Sequence, residues 1–328
     1  MPHIQFTEIA GAVYPDQYDA FLSKMTSINL DIGFILSNSC LVRTDFYDKL
    51  LFATVGPLVV LSALFGALFI ARRRSPNTEN LQPILQSKRA STGLFILFFV
   101  YSSVSFTIFQ TFVCDDLDDG MSYLRADYSI VCSSETHTAY KTYASIMVCV
   151  YPVGIPAFFG WWLVRNRHDL EKPGREDMVH LESFSGLWAA YNPSSYYYEV
   201  VECCRRIALT GAAVFVLPNS AEQIAVIFLL AVVFTFISES LSPFEAKADM
   251  WLYRWGNVII LASMYVALLL KVELANEGSQ ASSVMTALLI AGNVFMILMV
   301  AVQAAFLMKG LYTSRRAGGV YPATSTSV

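Results

Sequence analysis

The stretch Ile224-Ala-Val-Ile-Phe-Leu-Leu-Ala-Val-Val-Phe-Thr-Phe-Ile-Ser238 carries no charge. With its flanks it forms an apolar block from Ala221 to Leu241. An α-helix rises about 1.5 Å per residue, so about 20 apolar residues match the hydrocarbon thickness of a bilayer. Comparable blocks lie on either side. They run from Leu50 to Ala71, Thr92 to Val113, Tyr143 to Val164, Trp251 to Leu270 and Val284 to Met308. One more begins near Tyr196 and is purely apolar from Ile207 to Leu217. The chain has 328 residues, 55% hydrophobic and 15% charged, whereas soluble domains are nearer a quarter charged. A soluble core of this size could not bury so many uncharged blocks. The expected fold is therefore an all-α integral membrane protein of about seven transmembrane helices.

Basic residues set the orientation, because Lys and Arg are enriched on the cytoplasmic side. The segments 72–91, 165–206, 242–254 and 309–328 hold 16 of the 22 Lys and Arg residues. The others are Lys24, Arg43, Lys49, Arg125, Lys141 and Lys271. Strict alternation then puts the N-terminus outside and the C-terminus in the cytoplasm. Trp161, Trp162, Trp251 and Trp255 fall at the inner ends of the third and sixth spans, the depth that amphipathic rings favour.

Three regions follow. Residues 1–48 form an extracellular or lumenal segment. Its apolar part, Ile4 to Phe21, carries Glu8, Asp16 and Asp19 and reads as a short helix on the bundle or at the interface. Residues 49–309 form the seven-helix domain, and 310–328 a disordered cytoplasmic tail. No secretory signal is present at the start.

Of six cysteines, Cys40, Cys114 and Cys132 lie on the expected outer side. Cys114 and Cys132 bracket one loop and are the expected disulfide pair. Cys40 competes for either partner, and three free thiols in an intracellular organelle membrane remain the alternative. The bracketed loop carries Asp115, Asp116, Asp118 and Asp119. Leu117 breaks the ligand spacing of a calcium loop. The acids read as a solvated loop, or as one that concentrates cations at a pore mouth.

Inside the membrane, Tyr151-Pro152-Val-Gly154-Ile-Pro156 places two prolines four residues apart. Each removes a backbone donor and crowds the preceding turn, so the third span should break or kink sharply. Broken helices line cavities and hinges, and simple packing kinks are the plainer reading. Ser103, Thr107 and Gln110 share a face of the second span, where they line a polar pathway or bond a neighbouring helix. Ser62 with Gly66, and Ala63 with Ala67, form small-residue pairs suited to close packing.

The fourth span opens with Glu199, Glu202, Arg205 and Arg206, and Glu202 to Arg206 is the favourable order for a helical ion pair. These residues, with Glu239 at the end of the fifth span, read as an inner charged network or as boundary anchors. The terminal Thr326-Ser327-Val328 suits a PDZ-type groove that captures a carboxylate. His3, His137, His168 and His180 pair with no ligand at metal spacing, and no phosphate-cradling loop or nucleophile elbow is present. Neither an enzyme, a metal, a cofactor nor a nucleic-acid partner is expected. The expected partners are the lipid bilayer, cations, and other copies of the chain or a larger membrane complex.

Several motifs then stand together. They are Asn29-Leu-Asp31, Cys40-Leu-Val, Cys114, Asp119-Gly-Met-Ser-Tyr-Leu-Arg-Ala-Asp127, Cys132, Tyr151-Pro-Val-Gly-Ile-Pro156, Tyr196-Tyr-Tyr-Glu199, Arg205-Arg206, Leu209-Thr-Gly211 and Ser242-Pro-Phe244. The series resembles the C-terminal multipass region of large protist membrane proteins with ephrin-receptor-like cysteine-rich repeats. That region is distantly similar to TRP-like and polycystin-like channels. The resemblance covers roughly residues 25–250 and implies a cation-channel-like or sensory module. It supplies no established pore residues. The chain lacks the repeats, as a short paralogue or a fragment of a larger protein would.

Three functions are therefore open: a cation channel or channel-like subunit, a seven-span sensory receptor, and a non-conducting anchor or assembly subunit. The Asp-Arg-Tyr and Asn-Pro-x-x-Tyr signatures of rhodopsin-like receptors are missing from the expected spans. The membrane is either the plasma membrane or an endomembrane.

Overall fold

The computed structural model describes residues 18, 20–22, 45–74, 82–117, 120–175, 178–215, 221–272 and 280–316. Cys40, Asp118, Asp119, the terminal Val328 motif and most of the N-terminal segment lie outside them. Among the described residues, six helices are long and apolar enough to cross a membrane: 46–63, 91–110, 135–165, 221–241, 247–271 and 284–306. The chain is thus a largely helical membrane protein. Its outward faces are apolar, and Phe236 is 73% exposed and Phe306 71%. Water would not tolerate such a surface, and lipid does.

The long helices are α1 (Phe46–Arg74) and α2 (Gln82–Gln110), which pack together. Then come α3 (Glu135–Val148), a π-helical turn (Cys149–Val153) and α4 (Gly154–Arg165). Short helices α5 (Arg167–Leu170), α6 (Val179–Glu182) and α7 (Ser185–Trp188) form a folded loop between α4 and Tyr198, termed the inner loop after the orientation that the basic residues predict. Helices α8 (Tyr198–Phe215), α9 (Ala221–Leu241), α10 (Lys247–Lys271) and α11 (Gln280–Arg316) complete the bundle. Helix α8 contacts α2, α4, α7 and α9 and stands at the centre. It is the expected fourth span, but charges fill its first half, and residues 216–220 beyond it are not described. Its described part therefore falls short of an uninterrupted apolar span.

One core joins Leu50 of α1, Tyr101 and Ile108 of α2, Phe159 and Leu163 of α4, and Cys203 of α8. A second joins Phe106 and Phe109 to Leu209, Ile227 and Met264. Near the N-terminus, Tyr18 and Leu22 are buried against Ile224, Val266 and Leu289. Asn293 donates to the Tyr18 hydroxyl at 3.2 Å. On the small-residue face of α1, a Cβ at Gly66 would meet nothing within 4 Å among the described residues.

The loop between α2 and α3, outer in the expected orientation, is folded. It is a three-stranded antiparallel sheet of β1 (Cys114–Asp116), β2 (Ser122–Leu124) and β3 (Asp127–Val131). Strand β3 pairs with β2 through Tyr123 opposite Val131 and Leu124 opposite Asp127, with an irregularity between them. Gly120, at φ 77°, turns the first hairpin, and its N–H donates to the Leu117 carbonyl. The Cys114–Cys132 disulfide closes the sheet. The Asp127 carboxylate accepts from the Ser129 hydroxyl at 2.6 Å and from the Phe46 N–H at 3.4 Å.

The third span runs on through its two prolines, with an irregular turn where a break or sharp kink was expected. Helices α3 and α4 join into one 31-residue span through the π turn. A π turn bonds i to i+5 and absorbs an extra residue, so Pro152 and Pro156 need fewer i to i+4 bonds. The turn brings position 154 close to the chain behind it. A Cβ there would lie 2.9 Å from the Cys149 carbonyl oxygen.

Two predictions follow from these local geometries. Gly154→Ala should lower the thermal midpoint in detergent, although Ala exceeds Gly in helix propensity by about 1 kcal/mol. A raised midpoint would show that the close approach does not matter. Hydrogen bonds, led by that from the Ser129 hydroxyl, hold Asp127 below the ordinary carboxylate range. A depressed carboxylate contributes stability above its unfolded pKa, and this is lost as pH falls through the folded value. The protection of the Ser129 amide relative to a free peptide should therefore fall on acidification below about pH 4, and this acid step should vanish in Asp127→Asn.

Candidate functional site

Charged and aromatic groups converge where α8 enters the bundle. Glu202 is buried, and four donors reach its carboxylate. Arg205 donates through Nε at 2.8 Å to Oε2 and through Nη2 at 2.6 Å to Oε1. Arg206 Nε reaches Oε1 at 3.2 Å, and the Tyr253 hydroxyl reaches Oε2 at 2.9 Å. A carboxylate offers about four lone-pair sites, so this one is saturated. The i to i+3 and i to i+4 spacings follow from helical geometry, since α8 carries all three charged partners. Tyr253 arrives from α10, and the Arg205 guanidinium lies 5.7 Å from its ring centre.

Among the described residues, Glu199 makes no direct ion pair with an arginine. It accepts from the Tyr191 hydroxyl at 2.6 Å. Tyr191 lies in the inner loop, and burial raises its phenol well above the usual tyrosine range. Its ring packs 5.4 Å from Tyr198 and 5.2 Å from Phe244. Phe244 in turn stands 5.1 Å from Tyr253.

Backbone bonds seal the same junction. Asn192 N–H donates to the Pro243 carbonyl at 2.8 Å, and Glu245 N–H to Ala190 at 3.1 Å. The Asn192 side chain donates to the carbonyls of Ser242 and Phe244. Ser242 holds φ 40°, a left-handed conformation uncommon for a residue with a side chain. The inner loop is thus clamped onto the turn between α9 and α10.

Arg175, which sequence reasoning missed, pins the loop from behind. It is buried, lies 4.8 Å from the Trp188 ring centre, and donates to the carbonyls of Leu170 and Tyr191. Glu245 Oε2 is 3.6 Å away. In the sequence Arg175 looked like one more basic residue of an inner loop. The tryptophan thirteen positions on carried no pattern that would link them.

Glu239 stands apart from this cluster, contrary to its expected membership. It pairs with Arg254 across α9 and α10, with both side chains 40% exposed. Of the expected polar face of α2, Thr107 is buried and donates to the Ser103 carbonyl of its own helix at 3.1 Å. Gln110 Oε1 is buried with no hydrogen-bond partner among the described residues.

Of the expected hinge residues, Tyr151, Pro152 and Pro156 are buried and Gly154 is half-buried. The Tyr151 hydroxyl donates to the Thr54 carbonyl at 2.5 Å, and Thr54 Oγ1 lies 2.7 Å from the Tyr143 hydroxyl. These bonds tie the π turn to α1.

At the outer sheet, Arg125 engages Asp115 through Nε at 3.0 and 3.1 Å, and the Tyr128 hydroxyl reaches Asp115 at 2.8 Å. Ser122 engages Asp116. Both acids are therefore held within the sheet.

Between α2 and α8, a cavity of about 10 Å³ is lined by Tyr101, Ser102, Ser105, Phe109, Arg206, Ile207 and Thr210. That is room for about one water.

Removing one member of a buried ion pair costs about 3–5 kcal/mol, whereas an exposed pair contributes about 0–1 kcal/mol. Glu202→Gln should therefore lower the thermal midpoint far more than Glu239→Gln, read by tryptophan fluorescence in one detergent. Equal effects would show that the Glu202 cluster is not the structural centre described. No protein-family model, curated protein or solved structure matches the chain.

Proposed function

We propose that the chain is a subunit of a cation-channel-like membrane protein, with the π turn as hinge and the Glu202 cluster as inner latch. The observation that carries this reading is the coupling around α3 and α4. Their π turn is bonded to α1 through Tyr151 and Thr54. Their inner end runs into the loop that Tyr191 and Asn192 fasten to α8 and the α9–α10 turn. Movement at the hinge would load the latch. π-helical turns recur at functional sites, and intramembrane charges commonly mark ion pathways.

The proposal takes α8 as a seventh crossing, with the disulfide-closed sheet outside and the inner loop in the cytoplasm. The 16-to-6 division of basic residues supports this orientation. So does Trp251, an exposed ring at the inner end of α10. The cavity beside Ser105 is too small to conduct, so an ion path would form between copies of the chain or with a larger partner. The open small-residue face at Gly66 offers one close-packing surface for such an assembly. The resemblance to TRP-like and polycystin-like channels adds the cation class. The host membrane is a plasma membrane or endomembrane.

Purified protein in planar bilayers should give unitary cation currents, and Pro152→Ala and Glu202→Gln should change their open probability. Silent bilayers with monodisperse, folded protein would overturn the channel reading and favour a receptor or an anchor.

A further inference from the structure

The disulfide has a third neighbour. His137 sits in the first turn of α3, five residues after Cys132, and the Ser134 hydroxyl caps its N–H at 3.2 Å. Its side chain is fully buried. One ring nitrogen, Nδ1, lies 3.2 Å from the Tyr47 hydroxyl. The other, Nε2, is buried with no hydrogen-bond partner among the described residues. A ligand atom of His137 and the sulfurs of Cys114 and Cys132 all lie within 4.8 Å of one another.

A buried imidazole with one oriented nitrogen and one orphaned nitrogen is costly unless something else uses it. Metal-ligating histidines have this arrangement. A second group fixes one nitrogen and the other binds the ion. Here the Tyr47 ring is itself held by stacking on Tyr140 at 3.9 Å. The separation of 6.5 Å between the cysteine Cα atoms leaves room for two thiolates to share an ion once the sulfurs part. Two thiolates and an imidazole are the donor set of zinc, with one position left for water.

We propose that Cys114, Cys132 and His137 form a redox-gated site for zinc or a similar divalent ion, closed as a disulfide and opened by a dithiol reductant. The dithiol gives two electrons to the Cys114–Cys132 bond and becomes a disulfide. The S–S bond breaks to two thiolates, which bind the ion. The two protons of the dithiol go to water. Sequence spacing concealed the site, because β2 and β3 separate Cys114 from the Cys-x4-His segment. This inference is independent of ion conduction.

The test uses full-length protein in nanodiscs, reduced with a dithiol, desalted without oxygen and titrated with Co²⁺ alone. Reduced protein should bind a single cobalt ion per chain. It should show thiolate charge-transfer absorption and the visible bands of tetrahedral cobalt, bleached by Zn²⁺. Oxidised protein should show neither. Cys114→Ser should abolish the signal, and His137→Ala should weaken affinity by at least about tenfold. Tyr47→Phe keeps the stacked ring and removes the orienting hydroxyl, and should weaken affinity by about 10–100-fold. The proposal is overturned if reduced protein gives no cobalt–thiolate band, whether folded or not. It is equally overturned by a signal that survives Cys114→Ser, or by unchanged affinity in His137→Ala.

Discussion

A carboxylate buried inside a helical bundle must be completely paired, and much of this architecture follows from how Glu202 meets that demand. An isolated buried charge would cost several kcal/mol even after relaxation. Arg205, Arg206 and Tyr253 together occupy its lone pairs. Two of those partners come free with the helix, at the third and fourth positions beyond the glutamate. The third fixes α10 against α8. Once α10 is placed, Phe244 and the α9–α10 turn are placed too, and the inner loop closes over them through Tyr191 and Asn192. A polar cluster thus helps to organise a bundle whose cores are apolar. That division suits a bilayer, where apolar surfaces are as content with lipid as with one another.

The second organising feature is the accommodation of prolines in the third span. A π turn keeps the span continuous where a break or sharp kink was expected, and the requirement for glycine at 154 comes from the neighbouring carbonyl of Cys149. The hydroxyls of Tyr151, Tyr143 and Thr54 then join this irregular turn to α1. The irregular turn and the charged cluster sit at opposite ends of one helix–loop unit, and the functional proposal rests on their coupling.

The sequence was most legible where one physical force dominates. Long uncharged blocks predicted the membrane helices, and the bracketing of one loop by Cys114 and Cys132 predicted their bond. Helical spacing also predicted the Glu202–Arg206 pair. It was less legible where partners come from distant segments. Arg175 with Trp188, Tyr191 with Glu199, and His137 beside the disulfide carry no local pattern. The strands of the outer loop are three to five residues long, too short for their alternation to stand out among acids. Glu239 illustrates the opposite error. Its place at the end of the fifth span suggested membership of the inner cluster, yet its carboxylate pairs with Arg254.

The account turns on α8 crossing the membrane as a charged-root helix, because only then does the Glu202 cluster lie at the inner boundary of a seven-span bundle. An odd number of crossings puts the two chain ends on opposite sides. The most direct measurement places a membrane-impermeant label at residue 120 in the outer sheet and a second at the C-terminus, in sealed oriented vesicles. The account predicts that the two sites react from opposite faces of the membrane. Reaction of both from the same face would remove α8 from the membrane and contradict it.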